Sequence, residues 1–285
     1  MWATPARKVN NKLKIMKFAI NYSTQAAELF SKDEIRIDYF KCPGDQELVA
    51  QARAHARVVV HFNNLAAGSG KVENVDWNGI TELLDETGTL FVNVHLAPYV
   101  ADTPDVPPDG PTQAQASRII EKLLRDVRTL ASRFGPERVI LENVPYHGSD
   151  GNTIRTGAEP PVISQIIQET GCGFLLDISH ARIAARHLEM DERDYMLALP
   201  CHRLQELHFT GLHQVNGKWV DHLPVLDDDW LMLEWVIERI QLGEWAHPWL
   251  LTLEYGGVGE KYAERSDPQV IADQVPRLRK IINRV

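Results

Sequence analysis

The chain has 285 residues, a formal net charge of −9 at pH 7 and an ordinary balance of apolar and charged residues. The charge argues against a nucleic-acid partner, whose phosphates normally face a basic surface. No run of about 18 apolar residues occurs, so no helical membrane span is expected. Cys42, Cys172 and Cys201 are odd in number and widely spaced, with no Cys-x-x-Cys. They predict free thiols in a reducing, cytoplasmic setting. The start, MWATPARKVNNKLKIMK, is basic without an apolar stretch before its lysines, so it does not read as a signal peptide. Residues 1–16 are expected to be a poorly ordered extension of a single domain covering 1–285.

Along the chain, short β-branched apolar runs alternate with longer amphipathic ones. Strands are predicted at 17–22 (KFAINY) and 35–40 (IRIDYF), followed by a helix at 44–56. A strand at 57–62 (RVVVHF) and a helix at 76–87 come next, then a strand at 90–96 (LFVNVHL). A Pro-rich loop, ADTPDVPPDGP, leads into a helix at 112–134. There Ile119, Ile120, Leu123, Leu124, Val127 and Leu130 form one apolar stripe, and Gly135-Pro136 stops it. The second half repeats the alternation, with strands at 138–144, 173–178, 203–209 and 249–255 and helices at 160–170, 180–188, 228–241 and 268–283. Eight strands, most of them separated by helices, predict a parallel (β/α)8 TIM barrel. An open doubly wound sheet would carry a Gly-rich phosphate turn after its first strand, and NYSTQAAEL has none.

In such a barrel the active site lies at the C-terminal strand ends. The strands deliver His61, His95, Glu142 with Asn143, Asp177 with His180 one turn on, His208 and Glu254; the loop after the seventh strand adds Asp221 and His222. The stretch FLLDISHARIAA shows the problem most sharply, because a core strand there ends in Asp177 and His180, with Ser179 read as the helix cap. A lone strand-end histidine is ordinarily a hydrogen-bonded core residue, and a lone glutamate could pair with Arg182, Arg186 or Arg265. Those readings weaken when six segments bring such groups to one end. Carboxylates packed this closely repel unless they are protonated or share a cation. Bound metal is the simplest compensation. Imidazole and carboxylate donors suit iron, zinc or manganese, and the absence of thiolates excludes a cysteine-based structural zinc site. Five imidazoles and four carboxylates exceed the needs of one ion, so two or three are expected, bridged by Glu142, Asp177 and Glu254, the expected catalytic carboxylates. His55, His187, His202 and His247 read as solvated surface, while His147 and His213 lie close enough to face substrate. Asn143, His213, Lys41, Arg182 and Arg265 are the substrate-side candidates.

The run HF, HLAP, ENVPY, DISH, ELHFTG, DHLPV and LEYGG resembles xylose-isomerase-like TIM barrels. Within them, ETGCGFLLDISH…ALP…ELHFTG and DHLPVLDDDW are most similar to the multinuclear non-heme iron-dependent oxidative enzymes. That resemblance implies His61, His95, Glu142, Asp177, His208 and Glu254 as metal ligands. It also implies an iron- and O2-dependent oxidoreductase acting on a peptide or small thiol, with a partner protein that presents the peptide. His180 instead resembles the endonuclease IV branch, and adjacent Asp221-His222 stand where the iron enzymes have Asp-x-His. A sugar isomerase or epimerase using Glu142, Asp177, His208 and Glu254 on a divalent ion, and a phosphodiester hydrolase, are the alternative activities.

Overall fold

The computed structural model describes residues 15–285, apart from the side chains of Lys261 and Ala263. The N-terminal extension foreseen at 1–16 therefore falls outside the described residues as far as residue 14. Met16 is fully buried in the main core.

The elements in chain order are β1 (Lys17–Asn21), α1 (Thr24–Ser31), β2 (Tyr39–Pro43), α2 (Gln46–Arg53), β3 (Val58–His61), β4 (Ala66–Ala67), α3 (Trp77–Thr87), β5 (Val92–Leu96), α4 (Gln113–Phe134) and β6 (Val139–Glu142). Then come α5 (Pro160–Thr170), β7 (Gly173–Asp177), α6 (Ile178–His187), α7 (Glu192–Leu197), β8 (Leu204–Phe209), β9 (Gly211–Val215), β10 (Lys218–Leu223), α8 (Asp227–Gln241), β11 (Leu250–Leu253) and α9 (Pro268–Ile282). Short 3-10 turns lie between several of them.

Among the described residues, nine parallel strands form one curled sheet in the order β3-β2-β1-β11-β8-β7-β6-β5-β4. The fold is thus the expected parallel TIM-type barrel, with helices outside. Among the described residues, no backbone ladder joins β3 to β5. Side chains bridge that seam: Val60 N–H donates to Thr89 Oγ1 at 2.9 Å and Phe62 N–H to Asn93 Oδ1 at 2.7 Å. Each buried main-chain donor is satisfied, as burial requires.

The helices follow from their apolar stripes. In α4, Ile119, Leu123, Leu124, Val127 and Leu130 are buried, Thr112 and Gln115 form a capping box, and Gly135 ends the helix at φ 88°. Fully burying each such side chain contributes about 1.5–3 kcal/mol.

Three local expectations are corrected. The second strand is at Tyr39–Pro43, not 35–40, because the Asp38 side chain accepts the Phe18 N–H at 2.9 Å and binds Arg279 at 2.6 Å. Asp38 thus fills the place a ladder residue would take, and pairing with β1 starts one residue later, Ala19 against Tyr39. Lys41 and Cys42 accordingly lie inside a strand. The region after β8 is not a plain loop but an antiparallel hairpin, β9 with β10. Gly211 starts it where a Cβ would collide with the Pro224 carbonyl. The cap of α6 is Asp177, whose carboxylate accepts the His180 N–H at 2.7 Å; Ser179 instead donates to Thr210 O at 3.0 Å.

Cys42, Cys172 and Cys201 are free and buried. No helix among the described residues is long and apolar enough to cross a membrane.

Candidate metal centre

Parallel register sets the donors in rows. His95 lies beside Glu142 across β5 and β6, and Asp177 beside His208 across β7 and β8. His61 ends β3, and Glu254 follows β11 directly. Strand alternation turns these side chains to one face, and their positions at strand ends bring them to the mouth of the barrel.

Three trios of donor atoms result, each trio within 4.8 Å of one another: His61, His95 and Glu142; Glu142, Asp177 and His208; His180, Asp221 and His222. Glu142 belongs to two. Its Oε2 is 3.5 Å from His61 Nε2 and 3.3 Å from His95 Nε2, and its Oε1 is 3.3 Å from His208 Nδ1. Glu254 Oε1 reaches the same His208 nitrogen at 3.2 Å. All nine residues expected at the metal site are therefore gathered at one end of the barrel.

The third trio depends on a backbone irregularity. Adjacent residues of a regular strand face opposite ways. The β9–β10 register shifts between Val220 and Leu223, and His222 adopts φ 57°. This bulge turns both side chains inward: Asp221 Oδ2 lies 3.1 Å from His180 Nε2, and Asp221 Oδ1 3.8 Å from His222 Nε2. The missing residue of an Asp-x-His spacing is thus replaced by a twist in the chain.

Main-chain carbonyls orient two of the rings. His180 Nδ1 donates to Asn143 O at 3.0 Å and His222 Nδ1 to Glu254 O at 3.0 Å, which leaves both Nε2 atoms for the cluster. Asp177 divides its carboxylate: Oδ1 caps α6, while Oδ2 is buried with no hydrogen-bond partner.

The electrostatics show what this crowding does. Burial pushes the Asp177 carboxyl up to about 6, against the pull of His180 and with the help of Glu254 and Glu142. Burial works the same way on Glu142, but His95 and His208 outweigh it and hold that carboxyl low. Burial disfavours a charge on His208, yet Glu254 and Glu142 raise it to about 10. His180 is also raised, chiefly by Asp177, against burial. His61 is driven down by burial and by Lys41. Protons favoured on His208 and His180 offset part of the carboxylate charge. Glu142 Oε2, Asp177 Oδ2, His208 Nδ1, His61 Nδ1 and His95 Nδ1 are buried and make no hydrogen bond. Such atoms cost about 1–3 kcal/mol each, and cations among the inward-facing ones would satisfy them. The donor set fits metal ions.

A cavity of about 300 Å³ opens onto this cluster. Lys41, Asn21, Tyr22, Asn63, Val258, Tyr262 and Arg265 are among the residues that line it. Of the substrate-side candidates, Lys41 and Arg265 reach the cavity. The other three are engaged elsewhere. Asn143 is fully buried, and its side chain clamps Asp177, donating to its carbonyl at 2.9 Å and accepting its N–H at 3.0 Å. Arg182 is buried between Glu192, at 2.7 Å, and Asp229. His213 donates to Pro224 O at 2.6 Å within the hairpin region. Of the other histidines, His55, His187, His202 and His247 are exposed, as expected, while His147 is half-buried and packs on His187.

One residue escaped notice in the sequence. Glu206 is buried two residues before His208 on β8 and contacts it at 3.3 Å. Alternation along RLQELHF carried the signal, since residues i and i+2 share a face.

Comparison with known proteins places the chain. The family model for the RiPP precursor modification enzyme MbnB/TglH/ChrH matches residues 34–251. A UPF0276 protein of Acaryochloris marina is 24% identical over 196 residues, 66% of this chain and 68% of that one. A UPF0276 protein of Caulobacter vibrioides is 25% identical over 185 residues, 62% of this chain and 63% of that one, so the match spans less than two thirds of that relative's length. Among solved structures, D-psicose 3-epimerase from Clostridium cellulolyticum H10 superposes with a TM-score of 0.56 at 12% identity, covering 95% of this chain and 99% of that one. The 3-keto-D-glucoside 4-epimerase from E. coli does so with 0.54 at 17%, covering 93% and 99%. At such identities the epimerases report the shared barrel and nothing about the reaction.

Proposed function

The chain belongs to the RiPP precursor modification enzyme family MbnB/TglH/ChrH, and from that premise we propose that it is a multinuclear iron enzyme that oxidatively modifies a ribosomally made peptide. The observation that carries this reading is the set of three donor trios, two of them sharing Glu142. His61, His95 and Glu142 would hold one ion; Glu142, Asp177 and His208, with Glu254 alongside, a second; His180, Asp221 and His222 a third. Iron bound there supplies one-electron chemistry with O2 as oxidant, and N/O donors suit it. Zinc and manganese share that donor preference.

The chain's own groups then act as follows. Glu142, Asp177, Asp221 and Glu254 bring four negative charges to the ions. Three divalent ions leave a surplus of positive charge, which favours a substrate bound as an anion, such as a thiolate. Asn143 fixes Asp177, and the carbonyls of Asn143 and Glu254 fix the tautomers of His180 and His222. Arg265, at the cavity wall, is suited to an anionic group of the substrate. The cavity of about 300 Å³ suits one or two residues of a peptide rather than its whole length. A partner protein presenting the remainder is part of this reading. So are a single barrel domain and a cytoplasmic setting, which three buried free thiols suit.

A sugar epimerase would use Glu142, Asp177, His208 and Glu254 on one ion. The trios containing His61 and His222 are superfluous to it, and this favours the iron reading. Elemental analysis of protein purified without chelators should find two or three irons per chain, fewer in His61→Ala. O2 uptake should then follow addition of a peptide encoded beside the gene to anaerobically iron-loaded protein. A single ion per chain, or a metal content that His61→Ala leaves unchanged, would defeat the proposal.

A further inference from the structure

Asp221 and His222 differ from the other donors in what carries them. The rest stand on barrel strands, at a strand end or on the first turn of α6. These two stand on β10, and among the described residues β9 and β10 pair only with each other. A two-stranded ribbon is marginally stable by itself in water, so side chains must hold it against the barrel. α6 supplies them. Its first turn presents His180, while Arg182 and Arg186, one turn apart on a shared face, reach the ribbon. Arg182 binds Asp229, whose Oδ2 accepts the Leu212 N–H at 3.3 Å and the Leu226 N–H at 2.8 Å. That fastens the base of the ribbon. Arg186 acts further out: its guanidinium carbon lies 3.5 Å from the centre of the Trp219 ring. Glu192 steadies both arginines, accepting from Arg182 Nε at 2.7 Å and from Arg186 Nε at 2.6 Å.

Trp219 precedes Asp221 by two residues on β10. A ribbon fixed only at its base could still lean away from α6, and such a movement would part Asp221 and His222 from His180, which Asp221 meets at 3.1 Å. The trios built on Glu142 would be untouched, because barrel strands hold them. A planar guanidinium laid on an indole face is the contact that opposes this movement. We propose that Arg186 and Trp219 are a pair of positioning residues for the third trio. Their stack holds β10 against α6, so that Asp221 and His222 close on His180. One of the three sites thereby has its affinity set from outside the barrel. This rests on the metal reading of the site.

The test compares wild type with Arg186→Met, Trp219→Leu, their double variant, Trp219→Phe and His222→Gly. Cobalt(II) is titrated into each metal-free protein against a competing chelator, with thermal melts run alongside. In Arg186→Met, Glu192 keeps Arg182 as its partner, so the melting temperature should stay near wild type. One class of cobalt(II) site should nevertheless weaken about 3–30-fold, the factor that a cation–π contact is worth. It should be the class that His222→Gly removes, with the other classes unchanged. The double variant should lose no more than the larger single loss, as partners in one contact do. Trp219→Phe keeps a ring face and should recover part of what Trp219→Leu loses. If Arg186→Met and Trp219→Leu bind cobalt(II) as wild type does, or weaken every class alike, the stack is a surface contact and the inference falls. Should Trp219→Leu not fold, Arg186→Met decides alone by the same criterion. If His222→Gly itself leaves every class of site unchanged, the metal reading fails instead.

Discussion

Replacing Asn143 separates two roles the sequence allowed it. The side chain makes two hydrogen bonds to the Asp177 main chain, at 2.9 and 3.0 Å, in a fully buried position. In Asn143→Ala, the Asp177 N–H and C=O lose those partners. Each unsatisfied group costs about 1–3 kcal/mol, so the pair costs about 2–6 kcal/mol. A protein of this size loses about 2–4 °C of melting temperature per kcal/mol, which sets a minimum drop of about 4 °C. Asp177 also carries the α6 cap and an unpartnered carboxylate oxygen, so its movement should lower metal content as well. Differential scanning calorimetry with elemental analysis reads both. An unchanged melting temperature and metal content with a raised KM would refute this account and return Asn143 to the substrate.

The hairpin bulge predicts that His222→Gly and His222→Val each lose one ion per chain by elemental analysis and keep the others. Valine should also cost about 1–3 kcal/mol more than glycine in chemical denaturation, because φ is 57° there; equal stabilities would discount the bulge. Arg182→Met leaves Asp229 as an uncompensated buried charge, and Asp229 also accepts from Leu226 N–H at 2.8 Å. Denaturation should show a loss of about 3–5 kcal/mol with metal per folded chain unaltered; intact stability with a raised KM would instead support a substrate role. With His208 raised to about 10, its imidazole holds a second proton at pH 7 in the metal-free protein, and His180 is shifted in the same direction. Metal must displace the His208 proton, so the logarithm of metal affinity should climb by about one per pH unit between pH 7 and 9, read by chelator competition; a flat profile would contradict this. The raised His208 means that its contribution to the stability of the metal-free fold is full below about pH 6.5, the unfolded histidine value, and is lost as pH rises through about 10. A melting temperature of the metal-free protein that rises over that range would reverse the sign.

What could be read from the sequence was whatever alternation and strand-end position determine. His95, Glu142, Asp177 and His208 sit where period-two strands and a parallel barrel must put them, and their register partners follow. The second strand was misjudged because IRIDYF and YFKCP alternate almost equally well. The choice between them depends on Asp38 finding the Phe18 N–H and Arg279, a contact made across 20 and 241 residues of chain. The same limit explains Arg182 and Asn143. Their types suit substrate binding, and only the fold reveals that Glu192, Asp229 and the Asp177 main chain reach them first. Asp221 and His222 marked the far edge of such reasoning, because neighbouring strand residues diverge unless a bulge intervenes, and nothing local in NGKWVDHL announces one. Glu206 lay within reach, sharing a face with His208 by spacing alone. Its contacts with His208 and Lys41 become visible only in the fold. Orientation of an imidazole depends on which partner takes its second nitrogen. That is a property of packing, and it is where this site differs most from a list of its ligands.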